Sequence, residues 1–256
     1  MAIEIDLSGQ IVLVTGGVRG VGAGISRAFL AAGATVLTCA RRPLEERIRF
    51  GDNEIEHRTC DVRDPDSVAA MFADIVGVHG RVDHVVNNAG GAPFALADAA
   101  SPRFHSKIVE LNLLAPLLVS QQAHAVMQKQ NHGSITMISS VSGHRPSPGT
   151  AAYGAAKAGI DSLVGSLAVE WAPIRVNSVV VGPVETEQSH LHYGDEAGVA
   201  AVAKTVPLGR LAAPADVGNA ALFLASEMAE YISGAALLVN GGGERPAFLD
   251  AATTNH

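Results

Sequence analysis

A five-residue apolar run, Ile11-Val12-Leu13-Val14-Thr15, is followed at once by three spaced glycines and then by a helical pattern, and few folds accommodate that succession. The run reads as a strand buried on both faces. Gly16, Gly20 and Gly22 lie in Thr15-Gly16-Gly17-Val18-Arg19-Gly20-Val21-Gly22, which opens a helix expected to reach about Ala32. Strand, glycine turn and helix N-terminus together form a phosphate cradle. Backbone amides point at a pyrophosphate, the helix dipole favours its charge, and the missing side chains permit close approach. The spacing is G-x-x-x-G-x-G, not the commoner G-x-G-x-x-G, and a glycine cluster alone is equally a tight turn with no ligand.

The rest of the chain repeats the alternation of strand and helix. Residues 33–39 read as the second strand, and Ala40, Arg41 and Arg42 follow it. No acid stands there to hold a ribose 2′-hydroxyl. Arg41, 19 residues after Gly22, can instead pair with a 2′-phosphate, which points to the phosphorylated dinucleotide; the alternative is an ordinary solvated strand exit. A third strand over about 55–59 leads to Asp61-Val62, and a helix over about 65–78 follows, with Asp64 placed to cap it. The fourth strand, 82–86, ends in Asn87-Asn88-Ala89-Gly90, small polar residues where open α/β sheets bind ligands.

A long helix over about 101–130 holds Asn112 among leucines, either as hydrogen-bonded core or as part of a site. The fifth strand, 133–138, brings Ser139 and Ser140 to its carboxyl end. A helix over about 150–171 is rich in Ala and Gly and, like the helix before it, lacks a wide charged face, so both are expected to make subunit contacts. The sixth strand, Arg175–Val181, runs into Gly182-Pro183-Val184-Glu185-Thr186. Residues 187–207 read as an irregular substrate loop; His190 and His192 in it have no third ligand to complete a metal signature, so no metal is expected. A helix from Pro214 to about Leu224 and a strand over 235–239 complete the pattern.

Nothing divides the 256 residues, which are expected to form one dinucleotide-binding and catalytic domain. Apolar residues make up 48% and aromatics only 4%, so the core must be built from Ala, Val, Leu and Ile, as in a parallel sheet covered by helices. The fold class is therefore α/β, a doubly wound parallel sheet. The net charge of −7 carries no basic block, which argues against nucleic-acid and membrane partners and for small molecules. Cys39 and Cys60 read as buried free thiols, and with no secretion or spanning signal a cytoplasmic location is expected. In residues 244–256, Pro246, Phe248 and Leu249 are apolar, so the stretch from Ala247 to Leu249 is expected to pack at a subunit interface.

Tyr153 and Lys157 stand four apart on a predicted helix and address the same point in space. A free phenol titrates near ~10. A unit charge about 4 Å away is worth roughly 4 kcal/mol at an effective dielectric of about 20, so a lowering of about three pH units is the ceiling. Solvent screening reduces it and burial opposes it. The phenol then becomes a proton donor and acceptor near neutrality.

Taken together, residues 7 to 243 resemble the short-chain dehydrogenase/reductase family. Thr15-Gly16-x-x-x-Gly20-x-Gly22 is similar to its cofactor turn and Asn87-Asn88-Ala89-Gly90 to its strand-four motif. Asn112, Ser140 (thirteen positions before the tyrosine), Tyr153 and Lys157 fall in the order of its catalytic tetrad. The resemblance implies a Rossmann-like seven-stranded sheet, commonly a homotetramer, and an oxidoreductase that interconverts a ketone and a secondary alcohol. Tyr153 would exchange the proton of the substrate oxygen and Ser140 would donate to that oxygen. Lys157 would lower the phenol's pKa and hold the nicotinamide ribose, and Asn112 would hold a relaying water. The implied cofactor set is Gly16, Arg19, Gly20, Val21, Gly22, Arg41, Arg42, Asp61, Val62, Asn88, Ala89, Gly90, Tyr153, Lys157, Gly182, Val184 and Thr186. NADP(H) is expected ahead of NAD(H). The family's Pro-Gly before the last segment is replaced by Val181-Gly182-Pro183. By analogy the substrate is a 3-oxoacyl thioester or a fused-ring ketone; the alternatives are an NAD-dependent alcohol dehydrogenase or a non-catalytic dinucleotide sensor or scaffold.

Overall fold

Apolar runs buried on both faces, such as Ile11–Thr15 and Arg175–Val181, sit inside a parallel sheet, which leaves the crossovers to be made by helices. In the computed structural model, which describes residues 4–44, 48–50 and 53–253, seven strands form one sheet among the described residues. They are β1 (Ile11–Thr15), β2 (Thr35–Ala40), β3 (Glu56–Thr59), β4 (His84–Asn87), β5 (Ser134–Ser140), β6 (Arg175–Val181) and β7 (Ala236–Val239). Their order is β3-β2-β1-β4-β5-β6-β7, all parallel. The direction of winding reverses between β1 and β4, so a crevice opens beyond the carboxyl ends of those two strands. A small hairpin, Arg49–Phe50 with Asn53–Glu54, lies outside this sheet and was not expected.

The helices are α1 (Gly20–Ala31), α2 (Pro65–His79), α3 (Pro102–Val109), α4 (Ala115–Gln130), α5 (Ala151–Glu170), α6 (Ser189–Tyr193), α7 (Glu196–Thr205), α8 (Pro214–Ala225) and α9 (Ala247–Ala251). Successive strand residues face opposite sides, so the core has two halves. Leu13, Met137 and Ile135 pack under α2, α4 and α5 through Ile75, Met127 and Ile160. Val12, Val14 and Val179 pack under α1 and α8 through Ile25, Phe29, Val217 and Leu224. Small residues let α1 and α8 touch backbone to backbone: a Cβ at Gly24 would lie 2.3 Å from Pro214 O, and one at Gly218 would lie 2.5 Å from Gly24 O. The start of α1 is thereby held on a rigid platform.

Three expectations are corrected. The helix expected over 101–130 is interrupted by a π-helical turn, Glu110–Leu114, centred on Asn112. The stretch 187–207 is not irregular; α6 and α7 occupy most of it, the latter capped by Asp195, whose side chain accepts from Gly198 N at 3.0 Å. The fourth strand starts later than expected and includes Asn87, which is buried because its Nδ2 donates to Ser120 Oγ at 2.9 Å. Asp64 caps α2 as expected, accepting from Asp66 N at 3.1 Å. Among the described residues no helix is long and apolar enough to cross a membrane.

At the opposite end of the sheet from the crevice, β4 buries His84. Its Nε2 lies 2.6 Å from Gln10 Oε1 and its Nδ1 2.7 Å from Ser134 Oγ. Burial pushes its pKa down to about 4. The unfolded chain takes up this proton below about pH 6.5, the native ring only below about 4, so native stability falls as pH drops through that window. The full loss is on the order of 3 kcal/mol. Urea midpoints measured between pH 7 and 4.5 are expected to fall more steeply for the native sequence than for His84→Gln.

Candidate active site

Thr15 ends β1 and hands the chain to the glycine turn. Gly16 and Gly20 adopt φ of +65° and +52°, a region side chains disfavour. A Cβ at Gly22 would fall 2.2 Å from Gly16 O and 2.6 Å from Asn88 Nδ2. Helix α1 begins here with no side-chain cap and no acid in its first turn, so its free amides face the crevice with their positive end unopposed. Glycines leave backbone amides open at this cradle, and a pyrophosphate suits it in shape and charge.

Side chains of neighbouring elements hold the turn, and two of them, Thr38 and Ser26, were not singled out from the sequence. Thr38 Oγ1 on β2 accepts from Gly17 N at 2.7 Å and donates to Val14 O at 2.9 Å. Ser26 Oγ donates to Gly17 O at 2.7 Å. Thr15 Oγ1 accepts from both Asn88 N and Ala89 N at 2.9 Å. Asn88 Nδ2 donates to Thr15 O and Gly16 O, so its side-chain amide braces the turn. A hydroxyl inside an apolar strand was the available signal.

Arg19 lies exposed at the start of α1, with Val21 half-buried beside it, and Arg41 and Arg42 are exposed at the end of β2. Arg41 lies near enough to Asp61 to help hold its carboxyl below the usual range, although Arg63 does most of this. Arg63 Nη2 and Nε meet the Asp61 carboxylate at 2.6 and 2.9 Å. Val62 is buried under the sheet beside it. On the far side of the turn, Gly182 N donates to Val239 O, and a Cβ at Gly182 would fall 2.9 Å from Asn240 Cα. Val184 bridges to Ala212, and the Thr186 methyl lies 3.6 Å from where a Cβ on Gly20 would be. The chain from β6 therefore folds back over the cradle.

The second half of the crevice is built by α5. Lys157 Nζ is buried, donates to Ile138 O at 2.7 Å and stands 5.5 Å from the Tyr153 ring centroid. Burial lowers its pKa to about 8, opposed by the Asp161 carboxylate. Burial raises the Tyr153 phenol above its ordinary value; the neighbouring Ser140 hydroxyl pulls it down and Tyr193 pushes it further up. This corrects the expected lowering of the phenol by Lys157. The ammonium points at a main-chain carbonyl over the ring, and desolvation is the larger effect. Ser140 Oγ accepts from Ser142 N at 3.2 Å and so is fixed at the end of β5.

Asn112 is fully buried in the π-helical turn. Its Nδ2 donates to Ile108 O at 2.9 Å and Gly91 O at 3.0 Å, and its Oδ1 accepts from Gly91 N at 2.8 Å. Both side-chain N–H groups are therefore committed to main-chain carbonyls, which fixes the side chain in place. Gly90 occupies the space between: a Cβ there would lie 2.7 Å from Asn112 Oδ1 and 3.6 Å from Lys157 Nζ. The outer wall comes from Phe94, whose ring lies over Gly149, and from Tyr193 on α6, near the ion pair of Arg145 with Glu244 at 2.7 Å. His190 and His192 are exposed, and the His192 ring lies 6.2 Å from that of Tyr193.

The chain matches the family model described as enoyl-(acyl carrier protein) reductase over residues 16–244. It is 36% identical to L-fucose dehydrogenase of Oryctolagus cuniculus over 95% of this chain and 88% of that protein. It is 34% identical to the 3-oxoacyl-[acyl-carrier-protein] reductase FabG of Aquifex aeolicus, covering 94% of this chain and 99% of that one. Among solved structures, the ligand-free aldohexose dehydrogenase of Thermoplasma acidophilum superposes with a TM-score of 0.86 at 29% identity, over 94% of this chain and 96% of the other. With a glycine cradle, a tyrosine–lysine helix and a π-turn asparagine around one crevice, and with relatives of this extent, the chain belongs to the short-chain dehydrogenase/reductase family and is an NAD(P)-dependent oxidoreductase.

Proposed function

We propose that this protein is an NADP(H)-preferring oxidoreductase that interconverts a ketone and a secondary alcohol. The observation that carries the reading is the line from the uncapped amides of α1, past Gly90, where no side chain fits against Asn112, to the buried Lys157. Bound along that line, a nicotinamide dinucleotide supplies or accepts the hydride. Tyr153 Oη gives its proton to the carbonyl oxygen in reduction and takes it from the alcohol in oxidation. Ser140 Oγ donates to the same oxygen and fixes its direction. Lys157 holds positive charge beneath the ring and presents N–H groups to the ribose side of the crevice. Asn112 keeps the π-helical turn bent against Gly91, which preserves the opening.

The apolar side chains of Pro93, Phe104 and Ile108, which line the hollow beside Tyr153, support a 3-oxoacyl thioester or a fused-ring ketone as substrate. Relatives named 3-oxoacyl-[acyl-carrier-protein] reductase and 3alpha-hydroxysteroid dehydrogenase agree with that class. The exposed side chains of Leu114, Val169, Leu238 and Phe248 support a homotetramer. The reading includes a cytoplasmic location.

Tyr153→Phe is expected to bind NADPH normally and to lower kcat by about 100-fold or more, the usual loss with a general acid. Near-normal turnover would remove Tyr153 from the chemistry. For the cofactor, a charged hydrogen bond from Arg41 to a 2′-phosphate contributes roughly 1.5–3 kcal/mol, which is on the order of 10- to 100-fold in affinity. Ala40 leaves it unopposed. We expect kcat/KM to favour NADPH in the native protein and to move toward NADH in Ala40→Asp with Arg41→Ala. A native preference for NADH would sink the assignment.

A further inference from the structure

Asp161 lies one turn beyond Lys157 on α5, on the same helical face. Its side chain is 14% exposed and gathers three donors from other elements. Ser178 Oγ of β6 donates to Oδ1 at 2.6 Å. Ser139 Oγ of β5 reaches Oδ2 at 2.7 Å and is shared with Lys157 O at 3.2 Å. His144 Nε2, from the turn after β5, lies 2.9 Å from Oδ2. Ser139 directly precedes Ser140, so the carboxylate ties the tyrosine–lysine helix to the strand end that carries the serine.

We propose that Asp161 is a positioning residue of the reaction, whose carboxylate locks α5 against β5 and β6 and acts as counter-charge to the buried Lys157 ammonium. The inference rests on the reading of Tyr153 and Lys157 as the acting pair. An ammonium without water around it needs an anion nearby to stay charged. Among the described residues Lys157 Nζ donates to a neutral carbonyl, Ile138 O, and Asp161 is the anion that favours its charged form. Among the described residues, the other ionisable groups facing this cluster are Tyr153 on α5 and His144 from the turn after β5. The strands and the π-helical turn present neutral Ser139, Ser178 and Asn112. The Asp161 carboxylate holds the ammonium charged to higher pH than burial alone would allow.

The test compares charge with shape. In Asp161→Asn, the alkaline limb of kcat/KM for carbonyl reduction is expected to move toward acid by about one pH unit, the low end of what a nearby opposite charge contributes. Asp161→Ser should do the same, whereas Asp161→Glu should keep the limb in place even if kcat falls. A purely structural role would lower activity at every pH without moving the limb, and that result would overturn the proposal. On ligand-free protein, a urea double-mutant cycle with Lys157→Met gives a second readout. The midpoint lost through Asp161→Asn should be at least about twofold smaller when Lys157→Met is present, and additive losses would overturn the charge role. If neither neutral single variant folds, the double variant is expected to fold; its failure to do so would overturn the role as well. A protein that turns over no carbonyl would defeat the functional reading alone, since the urea cycle still decides the pairing.

Discussion

The hydrogen bond from Gly17 N to Thr38 Oγ1 joins the first glycine turn to the neighbouring strand, and much of the crevice depends on it. A turn rich in glycine has little of its own to hold it in one shape. Here the hydroxyls of Thr15, Ser26 and Thr38 and the amide of Asn88 do so from β1, α1, β2 and the end of β4. Each such bond contributes about 1 kcal/mol net, but leaving a buried partner unmade costs about 1–3 kcal/mol. The set is therefore all-or-none in character. It converts four separate elements into one rigid rim, and the open amides of α1 inherit that rigidity through the backbone contact of Gly24 with Pro214.

Across the crevice the governing quantity is desolvation. Lys157 and Tyr153 are both pushed toward their neutral forms, the lysine downward and the phenol upward. Helical spacing alone would have them pull in the useful direction. If Asp161 acts as proposed, its carboxylate on α5 maintains the Lys157 charge, and neutral Ser139 of β5 and Ser178 of β6 hold that carboxylate in place.

Buried parallel strands are continuous apolar runs, so the strands and the motifs at their carboxyl ends could be read from the chain directly. Thr15, Gly22, Asn88, Ser140, Tyr153 and Lys157 all border the crevice where their strand-end or helical positions put them. The π-helical turn was not legible. Glu110-Leu111-Asn112-Leu113-Leu114 has the composition of an ordinary helix, and what distorts it is a pair of bonds to Gly91, far away in sequence. Helices α6 and α7 were missed because they are short and glycine-flanked, with little periodicity to detect. The direction of the Tyr153 pKa was misjudged for a related reason: spacing along a helix sets which residues are neighbours, but the depth of burial and the aim of Nζ at Ile138 O are tertiary properties.

These two halves meet at Gly90. On one side the preceding residues, Asn88 and Ala89, are bonded to Thr15 and belong to the rigid rim. On the other, Asn112 grips Gly91 by its main-chain N–H and its carbonyl, pulling the same loop toward the π-helical turn. The loop is thus held from both directions while its middle residue has no side chain. Any Cβ at that point would press on Asn112 Oδ1 at 2.7 Å and stand over the Lys157 ammonium. The one atom missing from Gly90 is what lets the loop pass between Asn112 and Lys157, so the bracing on both sides fixes a backbone that no side chain could share in this close-packed interior.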